Sequence, residues 1–162
     1  MRLKRLDKSR AVHLIRIQFE AELDGLIQMT AMSRDEATGG QSKAENKYDT
    51  RALEASYLAA GQGQRLEALR KLASWYATLN AQLPAERVSA GALVHIEDEN
   101  EVKKWLFVAP AGGTKVTVDG QDVHVISLHS PLGKALAGRH SDDGATVHSP
   151  QGPIEVEILQ VL

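Results

Sequence analysis

The side chains in this chain that could do chemistry are carboxylates, imidazoles and hydroxyls. There is no cysteine among the 162 residues, so neither disulfides nor thiolate metal sites arise. Six histidines raise the question of a metal site. His124 and His129 are separated by an odd number, so on one strand they would point to opposite faces. His13 falls in a helical stretch, and His95, His140 and His148 show no ligand spacing; no histidine metal site is expected. Ala111-Gly112-Gly113-Thr114-Lys115 lacks the G-x-x-x-x-G-K spacing of a phosphate loop and reads as a hairpin turn. Serines and histidines are plentiful, but no G-x-S-x-G nucleophile elbow occurs. Trp75 and Trp105 read as core or interdomain contacts. What is left is charge at two places. One is a polar stretch from Ala31 to Asp49, with Asp35, Glu36 and Glu45 among Arg34, Lys43 and Lys47. The other is a basic set made by Lys8, Arg10, Arg70 and Lys71, with Arg2, Lys4 and Arg5.

The elements that would position these groups follow from periodicity. From about Lys8 to Met32, apolar residues recur at Val12, Ile15, Phe19, Leu26 and Met29, which is one helical face at heptad-like spacing. A second arm from Lys43 to about Leu83 keeps the phase through Tyr48, Ala55, Leu58, Leu69, Leu72, Tyr76 and Leu79. Between the arms, Gly39 suits a left-handed helix stop. Ser42 and Glu45 form the S-x-x-E of a capping box. The pattern predicts a helical hairpin whose tip carries the carboxylates. Each arm of about 25 residues would be about 37 Å long, so the pair should form a rod. Gly61-Gln62-Gly63 should weaken or kink the second arm without breaking it. Counting outward from Gly40 pairs Ala21 with Ala59 and Val12 with Ala68 and Leu69. It also brings Lys8 and Arg10 near Arg70 and Lys71.

Ala81 to Ala90, containing Pro84, reads as a linker. Beyond it the period drops to two. Leu93–Glu97, Lys104–Ala109, Thr114–Val118, Gln121–Leu128, Ala145–Ser149 and Ile154–Val161 read as strands. Asp119-Gly120 signals a type I′ hairpin, and Pro150-Gln151-Gly152-Pro153 a second turn. One short helix interrupts: Ser130 at the N-cap, Pro131 at the first helical position, and Gly138 past the end. Leu132 and Leu136, four apart, should face the sheet.

Composition sets outer bounds. The chain is 43 % hydrophobic with only 4 % aromatics, so its core should be aliphatic. A net charge of −2 gives no global attraction to nucleic acid or anionic membrane. The basic N-terminus has no apolar run behind it, because Arg16, Glu20, Glu22 and Asp24 interrupt. Neither a signal peptide nor a membrane span is expected, and the expected location is cytoplasmic.

A helical hairpin followed by a small sheet with S-P-L-G-K-A-L-A-G resembles the bacterial Gre transcript cleavage factors (the GreA/GreB family). Ile126 to Val161 carry most of the likeness: SPLG-x-AL-x-G, a strand, a P-x-G turn and a closing E-x-x-I-L strand. Glu45-Asn46-Lys47-Tyr48 resembles the family's tip. The resemblance implies an α+β chain with an antiparallel helical hairpin (coiled coil) at residues 1–83, tip about 33–46. A linker follows at 84–90, then a small FKBP-like antiparallel β-sheet domain with one short helix at 91–162. It implies a monomeric, non-enzymatic partner of RNA polymerase that regulates transcription elongation, meeting RNA or DNA only through the elongation complex. The C-terminal domain would dock through Ser130, Pro131, Leu132, Gly133 and Lys134. The tip would enter the secondary channel and present carboxylates (Asp35, Glu36, Glu45) to a Mg²⁺ shared with the polymerase active site, so that backtracked RNA is cleaved; no cofactor of its own is implied. The family's tip reads G-D-x-S-E-N-x-E-Y. Here the Asp position holds Ser42 or Gln41, depending on register. The alternatives are channel occupancy without cleavage, as a competitor or inhibitor, and an FKBP-like prolyl isomerase or chaperone. The latter needs a rim of aromatics, for which the domain offers only Trp105 and Phe107.

Overall fold

The computed structural model describes residues 5–38 and 50–162, without the side chains of 33–38 and 50–60. The chain divides into two compact units: residues 1–16 with 79–162, and residues 17–78.

The helical unit comes from two long helices, α1 (Lys8–Thr38) and α2 (Thr50–Thr78). Asp7 caps α1, its carboxylate accepting from the amides of Ser9 (2.9 Å) and Arg10 (3.3 Å). Within residues 17–78 the helices run antiparallel. Phe19 stacks on Tyr76 with ring centroids 5.9 Å apart, and Arg65 pairs with Glu22 at 2.9 Å. The axial register differs from the pairing counted outward from Gly40. Arg65 lies about two turns further along α2 than that count places the partner of Glu22. Heptad phase selects the facing stripe but leaves sliding along it free, and contacts such as Phe19–Tyr76 set the slide. Helix α2 continues through Gly61-Gln62-Gly63 without a break. Gly39, Ser42 and Glu45, the expected helix stop and capping box, lie outside the described residues.

The other unit contains a six-stranded sheet: β1 (Leu93–Asp98), β2 (Lys103–Ala109), β3 (Lys115–Val118), β4 (Gln121–Ser127), β5 (Gly144–Ser149) and β6 (Gly152–Val161), with helix α3 (Pro131–Leu136) between β4 and β5. The order across the sheet is β3-β4-β2-β1-β6-β5. The sheet is mixed: β2 pairs with β4 in parallel, and the other neighbours are antiparallel. The parallel pair corrects one expectation. Ala111 to Lys115 is not a hairpin turn, because β4 lies between β2 and β3. It is a crossover pressed onto the end of β4. A Cβ on Gly112 would fall 2.7 Å from the Val125 carbonyl oxygen, and the Gly113 amide donates to that same oxygen at 3.0 Å. Gly112 is there for close backbone approach, and Gly113 for its φ of 104°. Asp119 (φ 51°) and Gly120 (φ 80°) form the expected β3–β4 hairpin.

Strand alternation produces two buried faces. On one, Val94, Ile96, Leu106, Val108, Val156 and Ile158 join Leu136 and Val88 in a core cluster. On the other, Leu93, His95, Trp105 and Phe107 are buried as well. The central strands therefore read as near-continuous apolar runs. The aliphatic core and the inward Leu132 and Leu136 agree with expectation. In the same unit Leu6, just before α1, and Ala11, Val12 and Ile15 at its start are buried. The helix start is tethered there by polar contacts. Lys8 Nζ donates to the carbonyls of Leu83 (2.9 Å) and Leu162 (3.1 Å), and Arg10 pairs with Asp119 at 2.5 Å.

His95 is the one titratable group buried in the sheet. Its ring lies flat on Trp105, centroids 4.2 Å apart and planes 6° apart. Trp105 Nε1 in turn donates to Gln121 at 2.9 Å. Desolvation, with Lys103 nearby, lowers the His95 pKa, while Glu97 opposes weakly. The folded pKa is thus below the unfolded value of about 6.5. The unfolded chain binds the extra proton first, so this contribution is intact above about pH 6.5 and is lost as pH falls through that region. Chemical denaturation should show falling stability between about pH 7 and 5, and His95→Phe, which keeps a ring on Trp105, should flatten that fall. Hydrogen bonds from Lys115 and Thr117 hold Asp122 below the ordinary carboxylate range, so its contribution is present above that range and is lost only as pH falls through it. A second expectation concerns α2. A Cβ on Gly61 would meet nothing within 4 Å, so Gly61→Ala should raise stability by about 1 kcal/mol in the same titration.

Candidate functional site

The most tightly specified surface feature is the turn from the end of β4 into α3. The Ser127 carbonyl accepts twice from Ser130, from the amide at 3.1 Å and the hydroxyl at 2.7 Å. The Ser130 oxygen then accepts from the Gly133 amide at 3.0 Å, the N-cap bond of α3. Ser127 Oγ accepts from the His129 amide at 2.9 Å. Pro131 occupies the first turn, where a missing N–H costs nothing. Gly133 is fixed by space: a Cβ there would lie 1.9 Å from the Ser127 carbonyl oxygen and 2.8 Å from Leu128 Cα. Gly138, at φ 75°, ends the element, and its amide donates to the Val88 carbonyl at 2.8 Å. The Val88 amide returns to the Arg139 carbonyl at 2.8 Å. The segment before β1 thereby clamps the exit of α3.

This geometry sorts the five residues of the expected docking turn. Ser130, Leu132 and Gly133 hold the turn from within, whereas Pro131 and Lys134 are exposed. Lys134 has no ion-pair partner among the described residues. A cleft beside them is lined by Pro131, Lys134, Ala135, Thr146 and His148.

The expected basic set is distributed over both units. Lys8 is occupied by two carbonyls, and burial lowers its pKa; Arg10 is occupied by Asp119. Lys71 lies 3.9 Å from Glu67, four residues back on an exposed face. Such a pair is worth a few tenths of a kcal/mol, roughly. Among the tip carboxylates, Asp35 and Glu36 fall within α1, but their side chains are not described, and Glu45 lies outside the described residues. No group of three or more His, Asp or Glu among the described residues could hold a metal ion. No described helix is long and apolar enough to cross a membrane. Trp105 and Phe107 are buried, so they form no open aromatic rim.

Two features escaped the sequence reading. One is the His95–Trp105 stack. It needs the β1–β2 register, in which these residues are direct partners. The other is an acidic cleft lined by Glu97, Asp98, Glu99, Asp142, Glu155 and Glu157. Glu97 and Glu157 stand directly opposite on β1 and β6, a like-charge pairing that sheets normally avoid. The E-x-E spacings at 97–99 and 155–157 were a usable signal for it.

With this geometry in place, comparison with known proteins is informative. Residues 83–162 match the family described as Transcription elongation factor, GreA/GreB, C-term. The transcription elongation factor GreA of Chlorobaculum parvum is 29 % identical over 153 residues, covering 93 % of this chain and 87 % of that protein. GreA of Chloroflexus aurantiacus is 28 % identical over 151 residues, covering 90 % and 92 %. Among solved structures, the transcription factor Gfh1 is 19 % identical with a TM-score of 0.40, covering 90 % of this chain and 92 % of that one.

The turn supports a graded expectation. Ser130→Ala removes a cap and should cost about 1 kcal/mol. Gly133→Ala forces a Cβ into a backbone carbonyl and should cost more, about 2 kcal/mol or above. Thermal or urea unfolding of the two variants should reproduce that order; equal losses would remove the close-approach explanation.

Proposed function

This chain is a GreA/GreB-like factor, and from that premise we propose that it binds RNA polymerase as a regulator of transcription elongation in the cytoplasm. The C-terminal domain, residues 91–162, is the anchor. It docks through the turn of Ser130, Pro131, Leu132, Gly133 and Lys134. The helical region, residues 1–83, delivers its tip into the polymerase secondary channel. The protein acts as a monomer and meets nucleic acid only through the elongation complex. It contributes no active site of its own. The observation that carries this reading is the match of residues 83–162 to the GreA/GreB C-terminal domain. The rigid, glycine-dependent turn within it supports the assignment of the docking residues.

At the tip, Asp35, Glu36 or Glu45 supplies oxygen ligands of the kind hard divalent ions take. The Mg²⁺ in question belongs to the polymerase. Stimulation of transcript cleavage is the first reading of this arrangement. A second has a specific observation in its favour: the Asp of the family's tip pattern is replaced here by Ser42 or Gln41. A tip short of that carboxylate would occupy the channel as a competitor without promoting cleavage.

A pull-down with core RNA polymerase should retain the protein; failure to do so would remove the whole reading. A transcript cleavage assay on stalled complexes, with Asp35→Ala, Glu36→Ala and Glu45→Ala tested singly, separates the two versions. Stimulation lost in one variant assigns that carboxylate. Wild-type protein that binds, fails to stimulate, and slows the cleavage caused by an active factor identifies the competitor.

A further inference from the structure

Inside the helical unit, the facing stripes of α1 and α2 leave a gap with glycine on both walls. The Glu22–Arg65 pair at 2.9 Å fixes the level of the two antiparallel helices. One turn from that pair, Gly25 and Leu26 of α1 come opposite Gly61 and Gln62 of α2. With Met29 beside them, these residues line an open cleft of about 500 Å³. A Cβ on Gly25 or on Gly61 would meet nothing within 4 Å, and neither glycine has a positive φ. Packing and backbone conformation within the chain therefore require neither of them. Yet both sit in helix interiors, where glycine is unfavourable. They leave two bare stretches of backbone beside one space.

The lining selects a class of occupant. Gln62 Oε1 is buried and has no hydrogen-bond partner among the described residues. Thr30, one turn beyond Leu26 on the same stripe, is 4 % exposed, and its hydroxyl is likewise unpartnered there. Buried polar atoms are normally satisfied. A carboxamide oxygen can only accept, so the missing group is an N–H or O–H donor. Glu22 and Arg65 neutralise each other at the rim, which leaves no net charge for an ion to pair with. An anion would also meet two acceptors, Gln62 Oε1 and the Glu22 carboxylate. The other walls favour a flat ring. A thioether such as Met29 makes favourable contacts with aromatic edges, and a guanidinium such as Arg65 stacks on aromatic faces. Glycine backbone permits the close approach of a planar group. The volume lies within the range of small-molecule sites, about 300–1,000 Å³.

We propose that this cleft is a binding site for a small neutral aromatic molecule carrying a ring N–H or a hydroxyl. The ring lies against Gly25, Gly61 and Met29, and its donor reaches Gln62 Oε1. Bound there, the molecule bridges α1 and α2 and stabilises the helical unit by mass action. The site is independent of the polymerase reading: it uses none of the residues assigned to docking or to the tip, and it exists in the free chain.

Indole is the probe, and benzothiophene, which has nearly the same shape but no N–H, is its control. NMR titration of the full isotope-labelled chain should show saturable indole binding with a Kd of about 1 mM or tighter. The largest amide shifts should fall at residues 25–29 and 61–65. Benzothiophene should bind about fivefold more weakly, the effect of one hydrogen bond. Gln62→Leu should bring the two probes to within about twofold of each other. Gly25→Leu and Gly61→Leu put a side chain into the gap from opposite walls, and each should weaken indole by about tenfold or more. Circular dichroism identifies which of the two is folded, and one folded variant suffices; should neither fold, the Gln62→Leu comparison decides. No saturable binding to the wild-type chain, shifts centred elsewhere, equal affinity for the two probes, or indole binding that survives in a folded glycine variant overturns the proposal. Retention on core RNA polymerase should be the same for wild type and Gln62→Leu, and failure of the wild type to be retained bears on the polymerase reading alone.

Discussion

The contact on which the functional surface depends is between two pieces of backbone. Gly133 sits so close to the carbonyl of Ser127 that a Cβ would reach 1.9 Å from its oxygen. This closeness lets one carbonyl serve both the amide and the hydroxyl of Ser130. It leaves the Ser130 oxygen free to cap α3 through the amide of Gly133 itself. A helix of only six residues has little cooperative stability of its own. Its direction is imposed from outside, by the cap at one end and the Val88–Gly138–Arg139 exchange at the other. Leu136, fully buried, then locks the inner face into the core. Pro131 and Lys134 are left outward by geometry, with few alternatives available to them.

Much of this was legible in the residues because local chemistry and global fold agree here. Ser-Pro-x-Gly marks its own cap, the Asp119-Gly120 pair can satisfy two positive φ values, and alternation in the outer strands with apolar runs in the central ones located each strand to within a residue or two. What could not be read was whatever depends on a choice among distant partners. The parallel pairing of β2 with β4 is such a choice. An apolar run such as Trp105 to Val108 fits an antiparallel or a parallel neighbour equally well, and the Gly112-Gly113 pair suits a hairpin as well as a crossover. The axial register of α1 against α2 is another, since a heptad stripe is nearly the same after a slide of two turns. The role proposed for Asp35, Glu36 and Glu45 is of a third kind: it would turn on a partner's active site, which no property of these residues alone could disclose.

The charge layout follows from the same architecture. Packing buries both faces of the central strands β1 and β2, so polar residues are driven to strand ends and to the outer strands. At one end of the sheet this collects Glu97, Asp98, Glu99, Glu155 and Glu157. Near α3 it leaves Lys134 and His148 beside Pro131 and Ala135. Glu97 facing Glu157 would be a cost in an isolated sheet. The nearby Lys103–Glu97 pair at 3.6 Å offsets only part of it, because exposed pairs contribute little. The domain therefore carries a cluster of carboxylates at one end of the sheet and the exposed Lys134 ammonium near α3.

That asymmetry bears on how such a domain finds its place. A uniformly basic surface would adhere to any nucleic acid, and nucleic acid is abundant wherever transcription proceeds. A mostly acidic domain is repelled from that background at distances of about a Debye length. Like-charge repulsion of this kind yields specificity by excluding wrong partners, without requiring high affinity. On this argument the acidic cleft needs no ligand of its own. The tightly specified turn around Gly133 meanwhile fixes the direction of Pro131 and Lys134.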